Sequence, residues 1–190
     1  MKYRNIELDI LSSAMLECVI PAGEYLSRYR DVSTFEKLCS ECPNYGARWG
    51  CPPFLPDSQP ELSGYSRVKL FLLKLDIAPY RAGSMEEIVI AIQCTVQKVR
   101  GSYETELLRM ESDLCGRAAL FTGMCPHCGD AKCARRSLQP CRHPELVRPS
   151  LEALGFDLGR TAKDFFDVEL QWCVGPESPP YISLLGAVFY

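Results

Sequence analysis

Residues 67–77 read RVKLFLLKLDI. Apolar side chains fall on both sides of that run, the pattern of a central strand covered above and below rather than of a strand with one face in water. A second run of the same kind, YISLLGAVFY at residues 181–190, closes the chain. Two weaker strand signals accompany them: residues 118–122, short and apolar, and residues 5–10, where Ile6, Leu8 and Ile10 alternate with polar neighbours. Helical patterns fill the intervals. Residues 24–30 and 34–39 read as helices, the second opened by the capping box Ser33-x-x-Glu36. Ser84-x-x-Glu87 is another such box, after which Ile88, Ile92, Thr95 and Val99 recur at helical spacing. Gly101 interrupts before Tyr103, Leu107, Met110 and Leu114 resume, so residues 85–114 form two helices or one long kinked one, closed near Gly116. Farther on, Pro149 starts a helical turn, Gly155 ends it and Asp157 caps a final helix. These elements predict one α/β or α+β domain over residues 1–190, with helices packed on a small mixed sheet.

Composition narrows the function classes. The chain has 190 residues, 21 Lys and Arg against 24 Asp and Glu, and a formal charge of -3, which supplies no global basic field for nucleic acid or anionic membranes. Its longest apolar run lies at residues 182–190, far short of the roughly 20 residues that span a bilayer. Glu7 and Asp9 occupy the place where a secretion signal has its apolar core. A cytoplasmic location is therefore expected. The usual signatures of dinucleotide, nucleoside triphosphate, zinc-protease and serine-hydrolase sites are missing. So is C-x3-C-x2-C, the common motif of radical enzymes. The acidic pairs Glu86 and Glu87, and Asp164 and Asp167, suit solvated helix faces.

Cysteine usage is the loudest signal. Eleven Cys in a chain expected to face a reducing compartment do not read as disulfides, and clustered thiols there usually hold metal. Cys39, Cys42 and Cys51 form C-x2-C-x8-C; Cys125, Cys128, Cys133 and Cys141 form C-x2-C-x4-C-x7-C. Cys18, Cys94, Cys115 and Cys173 are scattered and suit buried small hydrophobes.

The second motif, CPHCGDAKCARRSLQPC, offers four soft thiolates, which select zinc or an iron–sulfur cluster over magnesium or calcium. Lys132, Arg135, Arg136, Arg142 and Arg148 outnumber Asp130 and Glu145 around it, either a solvated basic face or a field that raises a cluster's potential. The spacing also resembles a zinc knuckle, in which Arg135 and Arg136 would grip single-stranded RNA, although the third ligand is Cys and the fourth lies too far along. His127 and His143, the chain's two histidines, both fall here, as ligands or as hydrogen-bonding neighbours.

The first motif, CSECPNYGARWGCPP, has three cysteines and ends in two prolines, a stiff version of the prolyl turn that shields ferredoxin clusters. Five prolines and two glycines between Cys42 and Pro60 allow no regular element, only an ordered loop. With three ligands the fourth metal position is open to water, substrate or another side chain, and Cys18, Cys94, Cys115 or Cys173 could close it. Tyr45 and Trp49 are either covers for a cluster or core aromatics, and Arg48 could balance cluster charge or bind an anion.

Residues 24–56, the motif GMCPHC and the segment CRHPELVRPSLEALGFDL resemble a bacterial and archaeal family of predicted metal-binding proteins of unknown function, cysteine-rich and common in anaerobes. The resemblance covers nearly the whole chain. It implies metal ligands at Cys39, Cys42, Cys51, Cys125, Cys128, Cys133 and Cys141, and non-ligand signature positions at Trp49, Pro52, Pro53, Arg142, Pro144, Arg148, Pro149 and Glu152. Leu151 stands where the family usually has Met.

The first functional expectation is one or two [4Fe-4S] clusters on these seven Cys, used in electron transfer or in a reductive step on a small substrate, with a redox partner protein or that substrate as partner. The alternative is structural zinc in a protein- or nucleic-acid-binding module. A thiol metallochaperone is a third.

Overall fold

The computed structural model describes residues 15–55, 60–76, 85–123, 125–129, 132–171 and 179–190. In chain order the elements are strand β1 (Leu16–Pro21), helices α1 (Ala22–Tyr29) and α2 (Val32–Ser40), strand β2 (Arg67–Asp76), helix α3 (Met85–Asp113), strand β3 (Arg117–Ala119), helix α4 (Leu158–Phe166) and strand β4 (Tyr181–Phe189). A 3-10 turn at Ala134–Ser137 lies between β3 and α4.

The sheet has the order β1-β2-β4-β3, with β2 and β4 in the centre as their two-sided apolar runs require. All three strand pairs are antiparallel, with Leu72 opposite Leu185 and Phe71 opposite Gly186. The expected α+β arrangement is thus present. Parallel pairing, expected as part of a mixed sheet, is confined among the described residues to the isolated bridge between Leu120 and Ser150. The physical reason is that two-sided burial does not require parallel strands; helices on both faces give the same pattern.

Alternation along β2 and β4 divides the core in two. Val68, Leu70, Leu72, Leu185, Ala187 and Phe189 pack on one side with Tyr25, Leu151, Phe156 and Ala162, under α1 and α4. Phe71, Leu73, Leu75, Leu184 and Val188 pack on the other with Val99 and Leu107 of α3. Close approach of α3 depends on Gly186, where a Cβ would lie 3.0 Å from Leu107 Cδ1 and 3.1 Å from the Ala119 carbonyl.

Several local expectations shift. The N-cap of α2 is Asp31, whose carboxylate accepts from the Thr34 amide at 3.0 Å, while Ser33 sits inside the first turn and donates to Asp31 Oδ1 at 2.8 Å. Helix α3 is one continuous 29-residue element despite Gly101, and Cys115, at φ 49°, is the left-handed residue after it rather than Gly116. Asp157 caps α4 as expected, accepting from Arg160 N at 2.9 Å. The strand expected at residues 5–10 and the cap at Ser84 fall outside the described residues.

One segment positions the site. Residues 149–157 are tied to β3's extension by Leu120 N to Pro149 O at 3.0 Å and to the α1–α2 junction by Asp31 N to Gly155 O and Asp157 N to Tyr29 O, both 2.8 Å. Arg30 Nε adds a bond to the Leu154 carbonyl at 2.8 Å. The end of α2 and the strand-edge loops are thereby held against the same short stretch.

Candidate metal centre

Helix α2 ends by delivering Cys39, whose carbonyl accepts from Cys42 N at 2.9 Å. Overlapping turns follow: Tyr45 N to Cys42 O at 3.0 Å, Ala47 N to Asn44 O at 3.0 Å and Cys51 N to Arg48 O at 3.1 Å. Gly46, at φ 63°, donates to Pro52 O at 2.8 Å, and the Pro52–Pro53 peptide is cis. The proline-rich stretch is therefore an ordered loop as far as Leu55, built from turns in place of a helix or strand.

Its three thiols are coupled. Burial pushes the Cys51 thiol up to about 11, the charges of Cys42 and Cys39 push the same way, and Arg48 and Arg135 oppose them. Cys39 is raised by burial first and then by Glu152, Cys42 and Glu36. Cys42 is exposed, whereas Cys39 and Cys51 are half-buried.

In the second motif, burial raises Cys125, and Cys128, Cys141 and Cys133 add to the rise against the His127 amide. Arg142 Nη1 points at Cys128 Sγ at 3.6 Å and bonds the Lys132 carbonyl at 3.0 Å. The His127 and His143 rings lie 6.2 Å apart. Burial, followed by the charges of His143 and Arg100, holds His127 below its ordinary value.

The two motifs form one structure. Arg135, only 7% exposed, donates to the carbonyls of Arg48 at 2.7 Å, Cys51 at 2.5 Å and Pro53. Its guanidinium also lies 5.4 Å from the Trp49 ring centroid. Trp49 Nε1 donates back to Gln139 O at 3.1 Å. The solvated basic face is thus wrong for Arg135, although Lys132, Arg136 and Arg142 are exposed. Arg148 is engaged too, with Glu111 at 2.6 Å.

Between the motifs lies a cavity of about 220 Å³, below the roughly 300–1,000 Å³ of pockets that hold drug-sized ligands. Cys39, Cys42 and Cys51 line it together with Cys125, His127 and Glu152. Arg100 and Glu104, paired at 2.8 Å and almost wholly buried, form part of the lining; burial raises the Glu104 carboxyl and Arg100 opposes that rise. Burial raises Glu152 as well, against hydrogen bonding from its own amide, Ser150 and Thr122 and against the charge of Arg100. Its Oε2 is buried and has no hydrogen-bond partner.

Among the scattered cysteines, Cys18 lies on β1, Cys94 is exposed on α3 and Cys115 is exposed beyond it; none of these three lines the cavity. Cys173 falls outside the described residues. Among the described residues no three His, Cys, Asp or Glu side chains close on the geometry of a single bound ion. The donor chemistry nevertheless fits a thiophilic metal group: three thiols from one loop line one cavity, and in the other motif Cys128, Cys133 and Cys141 lie near enough to act on Cys125. Sequence reasoning missed Glu152 as a polar lining group, Arg135 as a clamp and the Arg100–Glu104 pair. Only the i, i+4 spacing of that pair on a helix offered a signal.

No helix among the described residues is long and apolar enough to cross a membrane. The family described as Predicted metal-binding protein (DUF2284) matches residues 29–189. No curated protein and no solved structure matches the chain.

Proposed function

Because the chain belongs to this family of predicted metal-binding proteins, we propose that its two cysteine motifs carry one or two [4Fe-4S] clusters, used in electron transfer or in a reductive step on a small substrate. The observation that carries this reading is the cavity shared by Cys39, Cys42, Cys51 and a polar wall. Three thiolates would leave a fourth coordination position to another donor, and the cavity lies beside these three cysteines. When bound, a cluster at such a site supplies single electrons and an iron able to accept a ligand.

The chain's own residues do the rest. Arg48 faces the thiols, lowers Cys51 by its charge and is braced by its Nε bond to Asn44 Oδ1 at 2.6 Å. Arg142 donates toward Cys128 Sγ, the kind of hydrogen bond that raises a cluster's potential. Leu120, Phe121 and Val147 supply the apolar part of the lining that limits water. The reading carries with it a reducing, cytoplasmic setting and an electron-donating partner protein.

Protein purified without oxygen is expected to hold about four or eight irons with matching acid-labile sulfide and a broad visible absorption that bleaches with dithionite. Zinc with no sulfide would overturn the proposal and favour the second reading, a structural metal module, which rests on the four-thiol set at Cys125, Cys128, Cys133 and Cys141.

A further inference from the structure

We infer that the carboxylate of Glu152 is the fourth donor to the metal group held by Cys39, Cys42 and Cys51. The inference rests on reading the first motif as a metal site, and it names the ligand that the three-cysteine spacing leaves undetermined, at a position that the family resemblance implies to be a non-ligand.

Three observations converge on this residue. Glu152 lines the same cavity as the three thiols. Its Oε2 is buried without a hydrogen-bond partner, an arrangement that costs free energy unless something else satisfies the oxygen. Finally, the carboxylate lies close enough for its charge to act on Cys39, second only to burial in raising that thiol.

Rival donors are placed less well. Cys18, Cys94 and Cys115 are not in the lining. Cys125 is in it, but it belongs to the second motif, which already offers four thiols of its own. His127 is on the wall, but its ring lies 6.2 Å from that of His143, within the second motif.

Glu152 is held where a ligand must be held. Its segment is pinned on one side by the Leu120–Pro149 bond and on the other by Asp31 to Gly155, so the carboxylate is presented by backbone that also fixes the start of α2. Ser150, Thr122 and the residue's own amide hydrogen-bond the carboxyl and the charge of Arg100 acts on it, yet Oε2 has no hydrogen-bond partner among the described residues.

An oxygen donor among thiolates makes one metal position chemically distinct. Carboxylate is a harder ligand than thiolate and holds iron less firmly, so that position is the one from which a metal is lost or to which an exogenous ligand is admitted. The cavity beside it then serves as its access route.

The test uses the full chain, purified anaerobically as wild type, Glu152→Gln and Glu152→Cys, with iron counts and low-temperature electron paramagnetic resonance before and after mild ferricyanide oxidation. Wild type is expected to lose one iron per first-motif cluster and to develop a three-iron signal. Glu152→Cys, with a fourth thiolate, should resist that loss, while Glu152→Gln should lose the iron at several-fold lower oxidant. Equal iron loss and superposable spectra in all three proteins would overturn the inference while leaving the cluster reading intact. Should wild type instead carry zinc, the cluster reading fails, and Co²⁺ replaces the metal in the same variants. Visible bands shifted by Glu152→Cys then support Glu152, and unchanged bands overturn it. A protein that takes up neither metal overturns both.

Discussion

A buried thiol keeps its proton longer than a free one, the more so beside other thiols, and Cys51 is such a thiol. Its folded value of about 11 lies above the ordinary 9.0, so the folded metal-free protein retains a proton that the unfolded chain gives up first. The stabilisation is complete below the ordinary value and is lost as pH rises toward 11. Urea midpoints of metal-free protein should therefore fall between pH 9 and 11, and a flat profile there would count against the packing described. Metal demands the thiolate, so loading at neutral pH should release protons into weakly buffered solution, which an indicator dye would record. At this scale the sequence was informative only about the cysteines, because ligand spacing is a local property. Glu152 shows in the sequence only as a family signature position, and Arg135 only as one of a basic group that is either solvated or set beside a metal, since burial decides their roles and burial comes from residues far away in the chain.

Helices and strands with strong internal patterns were legible: β2 and β4 from two-sided apolar runs, α4 from Asp157. Edge strand β1 was not, because LECVIP is half-exposed and carries no clean alternation. The cap of α2 was misplaced by two residues because Ser33 and Asp31 are both competent caps, and the backbone's extended turn at Asp31 chose between them. Gly101 failed to break α3, since one glycine costs only about 1 kcal/mol in a helix interior and tertiary packing of Val99 and Leu107 outweighs it. The contact between α3 and β4 is tight at Gly186. Gly186→Val should push on Leu107 Cδ1 and the Ala119 carbonyl and cost about 1–3 kcal/mol in chemical denaturation; a loss below a few tenths would show that α3 has room to move.

Across the whole molecule, two motifs distant in sequence become a single assembly, and no local pattern announces that convergence. Arg135 carries much of it. Arg135→Met should leave the carbonyls of Arg48, Cys51 and Pro53 short of donors and destabilise the fold by more than about 2 kcal/mol, and on the proposed function it should speed metal loss from the first motif although none of its cysteines has changed. Chelator-driven metal release, resolved by motif in variants lacking Cys128 or Cys42, would measure that coupling; unaltered release would mean that the loops act separately. The same junction carries an optical property. Trp49 is one of two tryptophans in the chain, and it is clasped between the Arg135 guanidinium and the Gln139 carbonyl. With Trp172 replaced by Phe, tryptophan emission, excited selectively past the tyrosine band, would come from this indole alone, and any separation of the loops would hydrate the ring and redden its glow. The protein thus contains its own fluorimetric gauge, readable in real time without an attached dye.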